Sequence, residues 1–178
     1  MSEIKQKAQA LNEYLVATRR HFHENPESSL KEYDTAAYIQ KELTTFGIPF
    51  EKWTETGTLA IIKGGKGEGK TVLLRADIDA LELPDCTGKP YASKRPGLNH
   101  ACGHDAHTTM GLGTARVLNE LKDSFAGTVL IAFQPAEEIG AGAKQFVASG
   151  KIDNIDESLR FTSIQDYPLD RLRWKVDQ

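Results

Sequence analysis

"TLAIIKGGKGEGKTVLLRADID", residues 58–79, is the stretch on which the fold turns. Its centre, GGKGEGKT (64–71), fits the phosphate-loop pattern G-x-x-x-x-G-K-[ST] at every letter. A phosphate loop opens a helix whose N-terminal amides face the phosphates. Here Lys70 and Thr71 lead instead into Val72, Leu73 and Leu74, a β-branched and aliphatic run that reads as strand. TLAIIK (58–63) is a second run of this kind, and the glycine-rich segment between them suits a hairpin-type connection. The stretch therefore predicts two strands joined by a surface turn. Nucleotide binding through Gly64 to Thr71 is the least favoured reading.

Working toward the N-terminus, Ile4, Ala8, Leu11, Leu15 and Phe22 recur at helical spacing and predict one amphipathic helix over 3–23, ended by ENPE. Ala36, Ile39, Leu43 and Phe46 predict a second over 33–46, stopped by Gly47 and Pro49. Toward the C-terminus, Pro84 to Gly103 lacks periodicity, and structureless loops of about twenty residues are usually functional. Asp105 is expected to cap a helix carrying Met110, Val117, Leu118 and Leu121, with Gly111 and Gly113 allowing close packing on a sheet. GTVLIAF (127–133) reads as a central strand, and a last helix is expected over 141–149. Helices between strands indicate an α/β sandwich, with sites at the carboxyl ends of strands.

Composition narrows the partners. The 178 residues are 39% hydrophobic and 26% charged, enough for one domain with a real core. A net charge of −3 leaves no basic footprint for nucleic acid or an anionic membrane. No run approaches the ~18 apolar residues of a membrane span, and the start has no apolar leader, so a cytoplasmic protein is expected. Cys86 and Cys102 are too few for a disulfide framework and are expected to stay thiols.

Three polar clusters could carry chemistry. HACGHDAH (100–107) holds His100, Cys102, His104, Asp105 and His107. Cysteine and histidine are ligands that zinc-, nickel- or manganese-type sites draw on, and C-x-H in an extended loop can point both side chains to one side. The plain alternative is a polar loop with a helix cap and a structural cysteine, and His100 and His107 read as supporting groups rather than ligands. QPAEE (134–138) puts Glu137 and Glu138 after the apolar strand, where adjacent side chains point oppositely. One carboxylate can bind a metal while the other takes a proton from water activated by it. RADID (75–79) brings Arg75, Asp77 and Asp79 to the same sheet edge, where Asp77 either orients a ligand or pairs with Arg75.

RRHFHENPE, RADIDAL, HACGHDAHT and FQPAEE, in this order, resemble the N-acyl-amino-acid amidohydrolase family, which includes hippurate and auxin-conjugate hydrolases. That family is related to aminoacylases and dinuclear-metal carboxypeptidases. The resemblance runs from about residue 10 to about 156. It implies the N-terminal part of a three-layer α/β/α catalytic domain, holding two divalent metals (Mn, Ni, Zn or Co) and hydrolysing the amide of a small N-acyl amino acid. By motif, Cys102, His104 and Glu138 would be metal ligands, Glu137 the general base, and Asp77 the strand-end aspartate that supports the site.

The resemblance runs out at about residue 156. Family chains continue with a segment of the type IFGFHNxPxLPVG, a lid and dimerisation domain, and a final histidine, whereas residues 157–178 contain no histidine. Back-translated and read one nucleotide out of register, this tail can spell IFAFHINPGLPVGSIALESGP, so a frameshift near Asp156 is expected. A chain lacking those ligands and the lid should hydrolyse weakly, and oligomeric state is left open. A remnant acting as a non-catalytic binding module is the alternative function.

Overall fold

The computed structural model describes residues 3–162. Helices α1 (Glu3–Ala10), α2 (Asn12–Glu24) and α3 (Tyr33–Thr45) come first, then strands β1 (Phe50–Lys52), β2 (Thr58–Lys63) and β3 (Thr71–Asp77). After a long loop follow α4 (His104–Glu120), β4 (Thr128–Gln134), α5 (Gly142–Ala148) and β5 (Glu157–Arg160). The strands form one sheet in the order β1-β2-β4-β3-β5.

That order corrects the hairpin expectation. β2 and β3 do not pair: β4 lies between them, antiparallel to β2 and parallel to β3. β4 is the most apolar strand, so it takes the centre, where both its edges are satisfied and its last five residues are buried. The glycine-rich segment crosses the end of β4 instead of turning tightly. It is tied to the turn before β4, with Gly64 N–H donating to Gly127 O and Gly127 N–H to Gly67 O. Gly127 has φ 84°, and a Cβ there would lie 2.2 Å from the Lys70 carbonyl oxygen. The phosphate-loop reading falls with the same observation. Thr71 opens a strand, its N–H donates to Asp156, and Lys70 pairs with Glu157.

Alternation along the strands sorts the core into two layers. Ala60, Ile62, Leu74, Ala76, Ile131 and Phe133 face Phe22, Ile39, Leu43 and Leu112 of α2, α3 and α4. On the other face Leu59, Leu73, Leu130 and Ala132 meet Phe146 of α5 and Trp53. Helices on both faces make the three-layer α/β/α arrangement.

Two helix expectations change. The N-terminal helix breaks at buried Leu11, the N-cap of α2, whose ψ of 1° departs from helical geometry, while α1 itself buries no residue. Nothing in the continuous apolar spacing marks that break. Asp105 does not cap α4: the N-cap is Gly103 at φ 82°, and Asp105 lies one position inside the first turn. Gly111 packs on the sheet as expected, against Phe133 and Ala76, but Gly113 packs on Leu15 of α2.

Of the tail from residue 157, the first four residues form β5, parallel to β3. Residues 163–178 lie outside the described part. Among the described residues no helix is long and apolar enough to cross a membrane.

Candidate functional site

The carboxyl ends of β3 and β4 and the start of α4 converge on His104. Its Nδ1 donates to the Asp79 backbone oxygen at 2.8 Å and lies 3.2 Å from the Asp79 carboxylate. With Nδ1 engaged, Nε2 is the free ring position, and it stands 3.9 Å from both Glu137 Oε2 and Glu138 Oε1. Ligand atoms of His104, Glu137 and Glu138 all lie within 4.8 Å of one another. Asp77, His104 and His107 form a second such group that shares His104.

Cys102 stands at the rim. Its thiol hydrogen-bonds the Glu138 carboxylate, although it does not belong to either of the tight groups. Burial and that carboxylate push the thiol up to about 11, so it keeps its proton when no cation competes for the sulfur.

Asp79, noted in the sequence but given no role there, proves central. It is fully buried, and its Oδ2 accepts from Ser29 Oγ at 2.7 Å and from the Glu138 backbone N–H at 3.0 Å. Burial would raise its carboxyl, but the hydrogen bonds from His104, Ser29 and Glu138 outweigh this and hold it below the ordinary range. For His104 burial opposes protonation, yet the Asp79 hydrogen bond and the charges of Asp77 and Asp79 place it at about 8. One residue thus fixes both, its backbone oxygen the histidine and its carboxylate the backbone of the glutamate loop. Its partners lie 25 and 59 residues away, a proximity no local pattern reveals.

Asp77 makes the ion pair anticipated with Arg75, at 2.7 Å, and Arg75 reaches on to Glu137 at 3.4 Å. The ion pair with Arg75 is thus present, while His107 Nδ1 stands 3.9 Å from the Asp77 carboxylate and makes no hydrogen bond to it. Burial outweighs the arginine and raises its carboxyl. His107 and His100 are buried with both ring nitrogens unpartnered, and burial lowers each to about 4, so both are neutral. Neither belongs with Glu137 and Glu138.

A further network lies beside the site. Asp105 is fully buried, accepts from His23 Nδ1 at 2.8 Å and lies 3.3 Å from Arg19. It anchors α2 to α4.

A divalent cation fits this donor set. Asp77, Asp79, Glu137 and Glu138 crowd four carboxylates around His104 and Arg75, and Glu138 Oε1 is buried without a hydrogen-bond partner. Like charges so placed favour a cation among them. Imidazole, thiol and carboxylate together suit Zn, Ni, Co or Mn.

Comparisons with known proteins agree. Residues 73–170 match the model of peptidase family M20/M25/M40. The chain is 48% identical over 147 residues to N-acetyl-L-cysteine deacetylase of Bacillus subtilis, covering 82% of this chain and 35% of that protein. It is 43% identical over 144 residues to IAA-amino acid hydrolase ILR1-like 5 of Arabidopsis thaliana, covering 80% and 33%. The crystal structure of the Bacillus subtilis YXEP protein, described as a dinuclear metal binding peptidase, superposes with a TM-score of 0.87 at 39% identity. That superposition covers 90% of this chain and 46% of the other. The chain spans less than half the length of these relatives. From the residues that match the family model and the identity to these relatives, the chain belongs to peptidase family M20/M25/M40.

Proposed function

We propose that this chain carries the catalytic-domain part of a metal-dependent amidohydrolase that cleaves the amide bond of small N-acyl amino acids. The observation that carries the reading is His104 Nε2, held 3.9 Å from both Glu137 and Glu138 by the Asp79 contact on its other nitrogen. Cys102, His104 and Glu138 would hold a divalent cation, and Glu137 and Asp77 take the catalytic and supporting roles. When bound, the cation would supply Lewis-acid polarisation of water and the scissile carbonyl.

The chain's own residues divide the remaining work. Glu137 is 38% exposed and within reach of Arg75, so one carboxylate oxygen is steadied while the other faces the site. In this reading Glu137 accepts a proton as water oxygen bonds to the acyl carbon, then gives it to the leaving nitrogen as the C–N bond breaks. Asp77 holds Arg75 in place for that step and lends negative charge behind His104. The products are a carboxylic acid and a free amino acid. The names of the relatives, a deacetylase and an amino acid conjugate hydrolase, support this substrate class. A net charge of −3 speaks against nucleic acid as partner, and two cysteines outside any disulfide accord with a cytoplasmic location.

Calorimetric titration of the 178-residue chain with Mn²⁺ or Co²⁺ tests the site. Binding is expected in the unmodified chain and in Glu137→Gln, and is expected to be lost in His104→Ala. Turnover of N-acetyl amino acids or hippurate, expected to be weak, should vanish in Glu137→Gln. No cation binding, or turnover that survives Glu137→Gln, would overturn the reading. We further propose that residues from Glu157 are encoded out of the family's reading frame. Nucleotides across codon 156 that fail to encode the histidine segment in another frame would refute this.

A further inference from the structure

We propose that Glu32 is a positioning residue that holds the Glu137–Glu138 loop in its cation-accepting shape; this rests on the metal-site reading above. Glu32 lies outside the three polar clusters, 104 residues before Ala136, and has no exposed surface. Its Oε1 accepts from the Ala136 N–H at 2.8 Å and from the Leu30 N–H at 3.0 Å, while Oε2 accepts from Thr56 Oγ1 at 2.9 Å.

Both backbone donors are unusual. Ala136 has φ 52° and Leu30 has φ 66°, and among the described residues these are the two non-glycine residues with left-handed backbone. A residue with a Cβ adopts that conformation at a cost, and it persists where the surroundings over-determine it. Here a single carboxylate oxygen binds both amides. Ala136 directly precedes Glu137, so its backbone angles set the direction in which the two glutamates leave β4.

The rest of the loop is closed around the same residue. The Ala136 carbonyl accepts from the N–H groups of Ala141 and Gly142, and a Cβ on Gly142 would lie 1.7 Å from the Pro135 oxygen. From the other side Asp79 holds the Glu138 N–H and Ser29 Oγ. Two buried carboxylates therefore fasten the loop, Asp79 at Glu138 and Glu32 at Ala136. The turn 28–32 supplies Glu32 and Ser29, one partner in each attachment.

The chemistry predicts an asymmetric response to substitution. In Glu32→Gln the amide oxygen still accepts both N–H groups, and its NH₂ donates to Thr56, whose hydroxyl reverses its role. Glu32→Ala removes every acceptor. Thr56→Val removes the arm that does not touch the loop, and so serves as a control for destabilisation alone.

The test uses the full 178-residue chain, titrated calorimetrically with Mn²⁺ below the thermal midpoint of every variant. Glu32→Ala is expected to weaken Mn²⁺ binding about tenfold or more, the range seen when supports of metal ligands are lost. Glu32→Gln and Thr56→Val should stay within about threefold of the unmodified chain, on the same reasoning. A second measurement needs no variant: by amide hydrogen exchange, the Ala136 N–H should be protected like a strand amide despite lying outside β4. Unchanged Mn²⁺ affinity in folded Glu32→Ala, an equal loss in Thr56→Val, or an Ala136 amide exchanging like an open loop would overturn the inference. If the unmodified chain binds no Mn²⁺ at all, the metal-site reading fails, and the clamp loses its function with it.

Discussion

His104 and Cys102 both hold protons that a cation must displace. His104, at about 8, is largely protonated at pH 7, and Cys102, at about 11, is fully so. Cation ligands must be neutral imidazole and thiolate, so binding releases protons. Near pH 6.5 close to two protons should leave per cation, and near pH 9 about one, with affinity rising across that interval. Titration in two buffers of different ionisation enthalpy counts them; fewer than one at pH 9 would remove Cys102 from the ligand set. Asp79 governs the same nitrogen from behind. Asp79→Asn keeps an acceptor for His104 Nδ1 but loses the charge, so the His104 pKa should fall below 8 and cation affinity should drop about 10- to 100-fold. An NMR titration of the His104 ring reads the first effect, and an unmoved pKa would refute the role given to Asp79.

At the scale of elements, α4 carries the site because it sits close on the sheet. A Cβ at Gly111 would lie 2.8 Å from the Phe133 ring and 3.1 Å from Ala76 Cβ, both fully buried. Gly111→Ala should therefore destabilise by about 1–3 kcal/mol through overpacking, exceeding the gain of roughly 1 kcal/mol in helix propensity. At Gly113 the neighbour is the end of the flexible Leu15 side chain, so Gly113→Ala should be nearly neutral. Urea unfolding midpoints of the two variants check the contrast, and equal losses would contradict it. The same comparison shows what the sequence could disclose. Apolar spacing located α3, α4 and β4, because burying a face is a local pattern. It did not reveal that β4 divides β2 from β3, because pairing depends on which apolar run takes the centre. The clusters around Asp77, His104, Glu137 and Glu138 were legible because metal-type residues are dense there. Asp79 and Glu32 gained their roles from partners 59 and 104 residues distant, and no spacing rule reaches that far.

For the whole molecule, the long loop and two helices meet at His23. Its Nδ1 contacts Asp105 of α4 at 2.8 Å, its Nε2 stands 3.3 Å from Asp85 in the loop, and it belongs to α2 itself. Leu81 and Asn99 close the base of the loop with paired backbone hydrogen bonds, and Arg95 ties it to Glu27 and Asp34 at the start of α3. The Asp105 hydrogen bond, opposed by burial and aided by both aspartates, raises the His23 pKa above its ordinary 6.5. The folded state therefore binds a proton that the unfolded chain has released, and stability must fall as pH rises through the interval above 6.5. Below 6.5 both states are protonated at His23, and its contribution is fully present. His104, raised to about 8, acts with the same sign, as do the raised carboxyls of Glu32 and Asp77 wherever they titrate. His100 and His107, lowered to about 4, act with the opposite sign but mainly below pH 6.5, so the cation-free chain should lose stability between pH 6.5 and 9. His23→Gln should remove its own share, on the order of 1 kcal/mol for a partly screened pair, and leave a shallower slope. Urea midpoints measured in a chelating buffer at pH 6.5 and 9 for both chains decide the matter. Parallel slopes would show that His23 does not hold α2, α4 and the loop together through its charge.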